Sequence, residues 1–564
     1  MNHNRTLLML LRSLHTGKYI LIAAAAVAVT ILQFSCGRKN DRLFTSMPPE
    51  RTGIKFRNWI EEDDVFNVLD YGYLYNGAGV AIGDINNDGL PDIFFSGNFA
   101  HARLYLNMGN FRFRDITDVS GVNGGNKWNT GATMADINGD GFLDIYVCCS
   151  TDGRYDRRKN LLYLNNGDLT FTECAARYGI NDASYSTHSA FFDYDKDGDL
   201  DLFVMNHSLD KYAMTNPARK KERNPIYEHR LYKNTGEKFV DVSAEAGMIG
   251  NIINFGLGLA IADFNNDGWP DIYICNDYSE QDYFYINNRD GTFSEKLEDY
   301  FDHISFSSMG CDAADFNNDG FIDLFTLDME PEDNYGNKLV AGPDNYEKFQ
   351  NLKKSGFFNQ STRNMLQLNM HGDYFTEIGQ YAGVFATNWS WAPLFCDFDN
   401  DGYKDLYITN GYGRNSTYMD AVVLAVSQMV RQQRGQTHLS KMNVIDQIPP
   451  TVLNNYIYRN NGDYTFTDVT GIWGDEKATL SGGAAYADLD NDGDIDLVIS
   501  TINGFPLVYR NNSEKISRNH YLKIRLKGSG MNTGGIGSRI DVTCGKNTYT
   551  QEFMPSRGFM SSVN

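Results

Sequence analysis

A nine-residue pattern, Asp-x-Asn/Asp-x-Asp-Gly-x-x-Asp, occurs seven times and constrains what this chain can fold into more than any other feature. The copies begin at Asp84 (DINNDGLPD), Asp136 (DINGDGFLD), Asp193 (DYDKDGDLD), Asp263 (DFNNDGWPD), Asp315 (DFNNDGFID), Asp397 (DFDNDGYKD) and Asp488 (DLDNDGDID). Each puts an oxygen-bearing side chain at positions 1, 3, 5 and 9, with glycine at position 6. Alternate residues of a tight loop point inward, so positions 1, 3 and 5 can converge on one hard cation. Glycine permits the sharp turn, where a Cβ would clash. Calcium, which takes about six to eight oxygen ligands, suits such a set. The carbonyl of position 7 is expected to face the ion, and the aspartate at 9 to close the cage. The predicted ligands are Asp84, Asn86, Asp88 and Asp92; Asp136, Asn138, Asp140 and Asp144; Asp193, Asp195, Asp197 and Asp201; Asp263, Asn265, Asp267 and Asp271; Asp315, Asn317, Asp319 and Asp323; Asp397, Asp399, Asp401 and Asp405; Asp488, Asp490, Asp492 and Asp496.

An EF-hand starts similarly but needs Glu at position 12 and flanking helices. Position 12 here is Phe95, Val147, Val204, Ile274, Thr326, Ile408 or Ile499, inside apolar runs, so these loops join strands. Asp, Asn and Gly also favour turns without any metal. Turn chemistry explains one copy as well as a cation does; it does not explain seven copies with every oxygen position intact.

The flanks repeat with the loops. A small-residue apolar strand enters (GVAIG, GLAIA, GGAAYA) and a second apolar strand leaves (DIFFSGN, DIYICN, DLVIST). A third carries an aromatic and an Asn (LYLNMG, IYRNNG), and a fourth carries Phe (FRFRDITDVSGV, FTDVTGIWG). Four short strands per unit with Gly-rich turns is the composition of a propeller blade. The seventh unit lacks its fourth strand, and an unmatched Leu43-Phe-Thr lies near the start. A strand from the beginning of the chain is therefore expected to complete the last blade and close the ring. Longer insertions fall at Ser208–Arg230, Asp328–Arg363 and Gly413–Asn454, the last with an amphipathic helix from Met419. That helix either carries recognition or packs on a propeller face. The expected fold is all-β: a seven-bladed β-propeller of four-stranded blades with calcium loops over residues 43–515, plus a short C-terminal β-module over 516–564.

The repeating unit resembles the FG-GAP/VCBS repeat, the blade of the integrin α-subunit propeller. The resemblance implies up to seven Ca²⁺ in the loops, on one propeller face. The tail, from His520-Tyr-Leu-Lys-Ile-Arg-Leu through Gly534-Gly-Ile-Gly-Ser-Arg to Ser556-Arg-Gly-Phe-Met-Ser-Ser, resembles the ASPIC/UnbV module of cartilage acidic protein-like and bacterial proteins. The chain reaches Asn564 within that motif, so a partial, poorly folded module with an unpaired edge is expected.

Arg5, Arg12 and Lys18 precede an apolar run, Tyr19 to Leu32, that is short for a membrane span. It ends at Gln33-Phe-Ser-Cys36-Gly, which resembles a bacterial lipobox of the looser kind found in Bacteroidetes lipoproteins. Residues 1–35 are then a signal peptide, 36–42 a linker, and Cys36 the lipidated anchor; an ordinary signal peptide with an incidental cysteine is the alternative. The expected location is the outer membrane, periplasmic or surface-exposed.

Net charge is −22, and the loop ligand positions alone hold 24 carboxylates, so the acidity belongs mostly to candidate cation sites. Nucleic acid is not an expected partner, because phosphate binding needs a basic face. None of the eight cysteines forms a C-x-x-C pair, and buried free thiols are expected apart from Cys36. No nucleophile elbow, H-E-x-x-H or P-loop occurs, and Gly77-Ala-Gly79-Val-Ala-Ile-Gly83 has the wrong spacing for a dinucleotide fingerprint; blade packing explains it better. His101, His188, His207, His229, His303, His371, His438 and His520 are scattered singly. The expected function is non-enzymatic: a binding or adhesion module for a protein or glycan at the cell envelope. The alternative is a calcium-dependent polysaccharide lyase, for which Arg223–Arg230 and Tyr412–Tyr418 are the segments to inspect. The 34 Tyr and six Trp permit sugar stacking, but blades also bury aromatics.

Overall fold

Seven strands crowd around one axis, and that crowding explains their small residues. Gly256–Ala262 (GLGLAIA) and Ser481–Ala487 (SGGAAYA) are typical. The computed structural model describes residues 42–150, 155–210, 216–340, 346–434, 440–474 and 477–564. Cys36 and the apolar run before it lie outside the described residues. No helix among the described residues is long and apolar enough to cross a membrane.

Residues 44–564 form a ring of seven antiparallel blades. Their innermost strands are Val80–Gly83, Asn129–Ala135, Ser186–Phe192, Gly256–Ala262, Cys311–Ala314, Ser390–Cys396 and Ser481–Ala487. Blades 1 to 6 take all four strands from consecutive sequence. In blade 7 the outer strand is Phe44–Ser46, with Phe44 opposite Asn511 and Ser46 opposite Tyr509. The closure expected from the sequence is therefore formed, and no blade edge between the ends of the ring is left open. The inner strands of blades 2, 3, 4, 6 and 7 each carry a register shift, which adds local twist near the axis.

The second strand of each blade is an apolar run because it is covered on both sides. Core clusters span blades 7 and 1, 1 and 2, 2 to 4, and 4 and 5. Connections alternate between the two faces of an up-and-down blade. The acidic loops join first to second strands and lie on one face. The insertions join second to third strands and lie on the other.

The tail departs from expectation. Its hairpin, Arg539–Cys544 with Asn547–Glu552, is a two-stranded sheet on its own. The chain beyond it is not poorly folded: residues 556–563 enter the central channel. Ser561–Ser562 turns back on Ser556–Arg557 and pairs in parallel with Ala81 of blade 1. Ala132 N–H donates to the Met560 carbonyl at 3.1 Å, and Ser556 Oγ donates to the Ser189 carbonyl at 2.9 Å. Arg557 pairs with Asp312 at 2.9 Å, and Phe559 packs on Trp391. The channel offers backbone groups and small side chains on every side, and these satisfy a segment that a solvent-exposed reading leaves unpaired. The Gly77-Ala-Gly79 stretch packs against this plug: a Cβ on Gly79 would lie 1.7 Å from the Met560 oxygen.

Candidate metal centres

Each loop leaves the inner strand and returns as the second strand through the same hydrogen-bond set. The position-1 carboxylate accepts from the N–H groups of positions 5 and 6. In the first loop Asp84 takes Asp88 N at 3.0 Å and Gly89 N at 2.8 Å, and the other six repeat this within 2.7–3.3 Å. Position 5 accepts from position 7 in every loop. Position 12 is buried in the second strand throughout, which removes the EF-hand.

Glycine at position 6 has φ between +87° and +97°, as its placement predicts. Position 4 is left-handed as well: Asn87, Gly139, Lys196, Asn266, Asn318, Asn400 and Asn491. Asn tolerates that region better than most residues, and five of the seven are Asn, a signal available in the sequence. These side chains also tie the loops together. Asn87, Asn266, Asn318 and Asn491 each donate to the glycine carbonyl of the next loop at 2.8–3.0 Å, and Asn400 donates to Asp494.

Position 9 is fully buried in all seven loops. One oxygen accepts the position-2 N–H; the other accepts the N–H of the third-strand Asn at 2.7–2.9 Å. That Asn, the residue of the LYxN signature, reaches on with Nδ2 to the preceding blade: Asn107 to Leu489, Asn165 to Ile85, Asn460 to Phe316. Burial, offset by these N–H groups and reinforced by neighbouring loop carboxylates, pushes Asp92 and Asp144 up to about 7, and Asp201 and Asp271 up to about 8. Burial likewise lifts Asp323, Asp405 and Asp496 well above the usual range. Among the described residues no basic side chain pairs with any position-9 aspartate. A buried carboxylate without a counter-charge is costly, and a cation in the loop supplies one.

The donor set fits a hard cation. Carboxylate oxygens converge within 4.8 Å at Asp193, Asp195 and Asp197, at Asp397, Asp399 and Asp405, and at Asp488, Asp490 and Asp492. Asp195 Oδ1 and Asp490 Oδ1, both position 3, are buried without a hydrogen-bond partner. All-oxygen ligands of this kind suit Ca²⁺ rather than a thiolate- or imidazole-loving metal.

The C-terminal module lies across this face and touches all seven loops. Lys523 reaches Asp488 and Asn491, Arg525 reaches Asn87, Thr533 donates to Asp136, and Asn532 N–H donates to the Gly198 carbonyl. Arg539 bonds Asn266 and the Gly320 carbonyl, Asp263 N–H donates to Glu552, and Lys404 donates to the Thr550 carbonyl.

Elsewhere, His188, His207 and His229 are buried, and burial lowers all three, to about 3, 4 and 3. Cys148, Cys149, Cys174, Cys275 and Cys311 are buried free thiols; Cys396 is half-buried and Cys544 exposed. In the segments singled out for lyase chemistry, Arg223 pairs with Glu228, Arg230 with Asp241 and Arg414 with Glu62. Tyr412 is buried and stacks on Trp389 at 4.1 Å. The long insertion presents the helix Met419–Gln433. Its Ala421 and Ala425 are buried, while Val423, Val426 and Val430 stay exposed. The helix therefore packs with one face, against Lys441–Ile445 of the same insertion, and leaves an apolar face open.

The chain matches the family described as FG-GAP-like repeat over residues 84–147, 148–204, 263–326 and 452–499, and the family described as ASPIC and UnbV over 528–564. Cartilage acidic protein 1 of Xenopus tropicalis is 29% identical over 201 residues, 35% of this chain and 28% of that protein. The Homo sapiens protein is 24% identical over 251 residues, 44% of this chain and 35% of that one. The chain thus spans about a third of the curated relatives it matches. Among solved structures, the V. cholerae biofilm matrix protein Bap1 aligns at 12% identity and TM-score 0.33, covering 86% of this chain and 84% of that one. Bacillus licheniformis rhamnogalacturonan lyase PL11 aligns at 10% identity and TM-score 0.28, covering 78% and 90%.

Proposed function

Because the chain is an FG-GAP-like repeat propeller with a C-terminal ASPIC and UnbV segment, we propose that it is a calcium-stabilised binding module that engages a protein or glycan ligand through its insertion-bearing face. In this reading it is exported and held at the cell envelope by a lipid on Cys36. Calcium at up to seven loops is structural. It neutralises carboxylates that are otherwise buried and unpaired, and so couples binding to folding. The loop residues hold the ion and fix the ring of blades; the capping module seals that face.

The observation that carries the binding role is the open apolar face of the Met419–Gln433 helix. Val423 and Val426 are 59% and 54% exposed on a segment inserted into an otherwise closed scaffold. Exposed apolar surface of this kind, carried on a loop insertion, marks interaction sites. The test compares the unaltered protein with Val423→Glu/Val426→Glu on a glycan array and in crosslinking to envelope extracts. Ligand signals that the double variant loses, with its melting temperature unchanged, support the reading. Signals that persist in the variant move the ligand site elsewhere. Unsaturated-uronate absorbance on incubation with polysaccharides replaces it with the lyase.

A further inference from the structure

The seven loops come in two kinds, and the third strand knows which kind it faces. Position 3 is Asn in blades 1, 2, 4 and 5 (Asn86, Asn138, Asn265, Asn317) and Asp in blades 3, 6 and 7 (Asp195, Asp399, Asp490). The residue just before the third-strand Asn is apolar in the first group: Leu106, Leu164, Ile286 and Leu368. It is basic in the second: Lys233, Arg459 and Arg510. The two alternatives segregate without exception.

The contacts explain the pairing. Lys233 bonds the outer oxygens of Asp195 and Asp197. Arg459 Nε and Nη2 reach Asp399 and Asp401, both at 2.9 Å. Arg510 Nε reaches Asp490 at 3.1 Å and its Nη2 bonds Asp492. In the Asn-type loops of blades 1, 2 and 5 the position-3 amide itself donates to the outer oxygen of position 5 at 2.9 Å, and no cation is needed. Blade 4 differs in source: Arg289, from the turn after the third strand, bonds that oxygen of Asp267 at 2.8 Å. The basic groups sit on outer oxygens only; Asp195 Oδ1 and Asp490 Oδ1 remain without a partner.

We propose that Lys233, Arg459 and Arg510 are charge-matching residues of the metal sites. Four ligand carboxylates less one cation carry the same charge as three carboxylates. The Asp-type loops of blades 3 and 6 therefore take a divalent cation with an affinity similar to that of the Asn-type loops of blades 1, 2 and 5, and in its absence they do not repel themselves apart; Arg289 in blade 4 and Lys523 on Asp488 in blade 7 each add one further cation to their loops. The affinity part rests on the reading that the loops bind metal; the repulsion part does not.

The test uses the full chain with Arg459→Leu, Asp399→Asn and the double variant, which turns blade 6 into an Asn-type loop. In excess chelator, Arg459→Leu lowers the melting temperature and the double variant restores it. In calcium titrations by calorimetry, one site of Arg459→Leu tightens roughly tenfold, one site of Asp399→Asn weakens roughly tenfold, and the double variant matches the unaltered protein. The reverse graft in blade 5, Asn317→Asp/Leu368→Arg, leaves both readouts unchanged, whereas Asn317→Asp alone does not. A double variant no better than the worse single one, in both blades, overturns the proposal. If the unaltered protein takes up no calcium, the metal reading fails and the chelator melts alone decide the pairing.

Discussion

Arg557→Ala removes the one guanidinium that enters the central channel with the tail. Arg557 and Asp312 are both buried, 2.9 Å apart, and Arg557 also donates to the Ala313 carbonyl at 3.1 Å. Asp312 keeps its N–H donors, Phe395 at 2.7 Å and Ala313 at 3.0 Å, but loses its counter-ion. Burial already raises Asp312 against the pull of Arg557. Breaking one partner of a buried pair typically costs about 3–5 kcal/mol, whereas replacing both by apolar groups is often neutral. Arg557→Ala should therefore lose about 3–5 kcal/mol, and Arg557→Met/Asp312→Leu should recover most of it. The assay is urea unfolding followed by Trp fluorescence, with hydrogen exchange at residues 556–563 to separate release of the tail from global unfolding. The reasoning fails if Arg557→Ala stays within about 0.5 kcal/mol of the unaltered protein and leaves exchange in the tail unchanged.

Gly79→Ala should displace the plug, because its Cβ meets the Met560 carbonyl at 1.7 Å; the check is faster proteolysis after residue 552. Without metal, buried Asp92, Asp144, Asp201 and Asp271 hold protons up to pH 7–8, while unfolded aspartates ionise near 3.8. The folded state then binds more protons than the unfolded one across that window, so stability in chelator falls as pH rises from about 4 to 8. Calcium bound in the loops would replace those protons, so its stabilising effect should be larger at pH 8.5 than at pH 5.5, read from urea midpoints. Thiol labelling of the native protein should modify Cys544 first among the described cysteines, since Cys148, Cys149, Cys174, Cys275 and Cys311 are buried, and mass spectrometry reads the order.

Much of this molecule is legible in its sequence. The loop spacing, the four-strand unit and the orphan Leu43-Phe-Thr were enough to anticipate seven blades and a shared closing strand, because those features depend on local pattern and on counting. What escaped depends on partners distant in sequence. The third-strand Asn was visible as a repeated letter, but its bridge from Asp405 to the Phe316 carbonyl of the neighbouring blade needs the ring to exist. The tail looked like an unfinished sheet because its pairing partners, from Ala81 to Asp312, are supplied by the channel wall rather than by its own module. The match between Asp399 and Arg459 lay in the sequence as a correlation between repeats, 60 residues apart, and only the contact shows why it should hold.

The central claim is that the seven loops hold calcium and that the ring depends on it. The direct measurement is thermal melting of residues 42–564 with calcium and with excess chelator, alongside elemental analysis of the dialysed protein. A ligand that binds only the folded state adds about 2.7 kcal/mol per site at a hundredfold excess over Kd. A large, calcium-specific rise in melting temperature with a stoichiometry approaching seven is the expected result. Equal melts with and without chelator, and no bound calcium, would contradict the claim and leave the aspartates as turn residues.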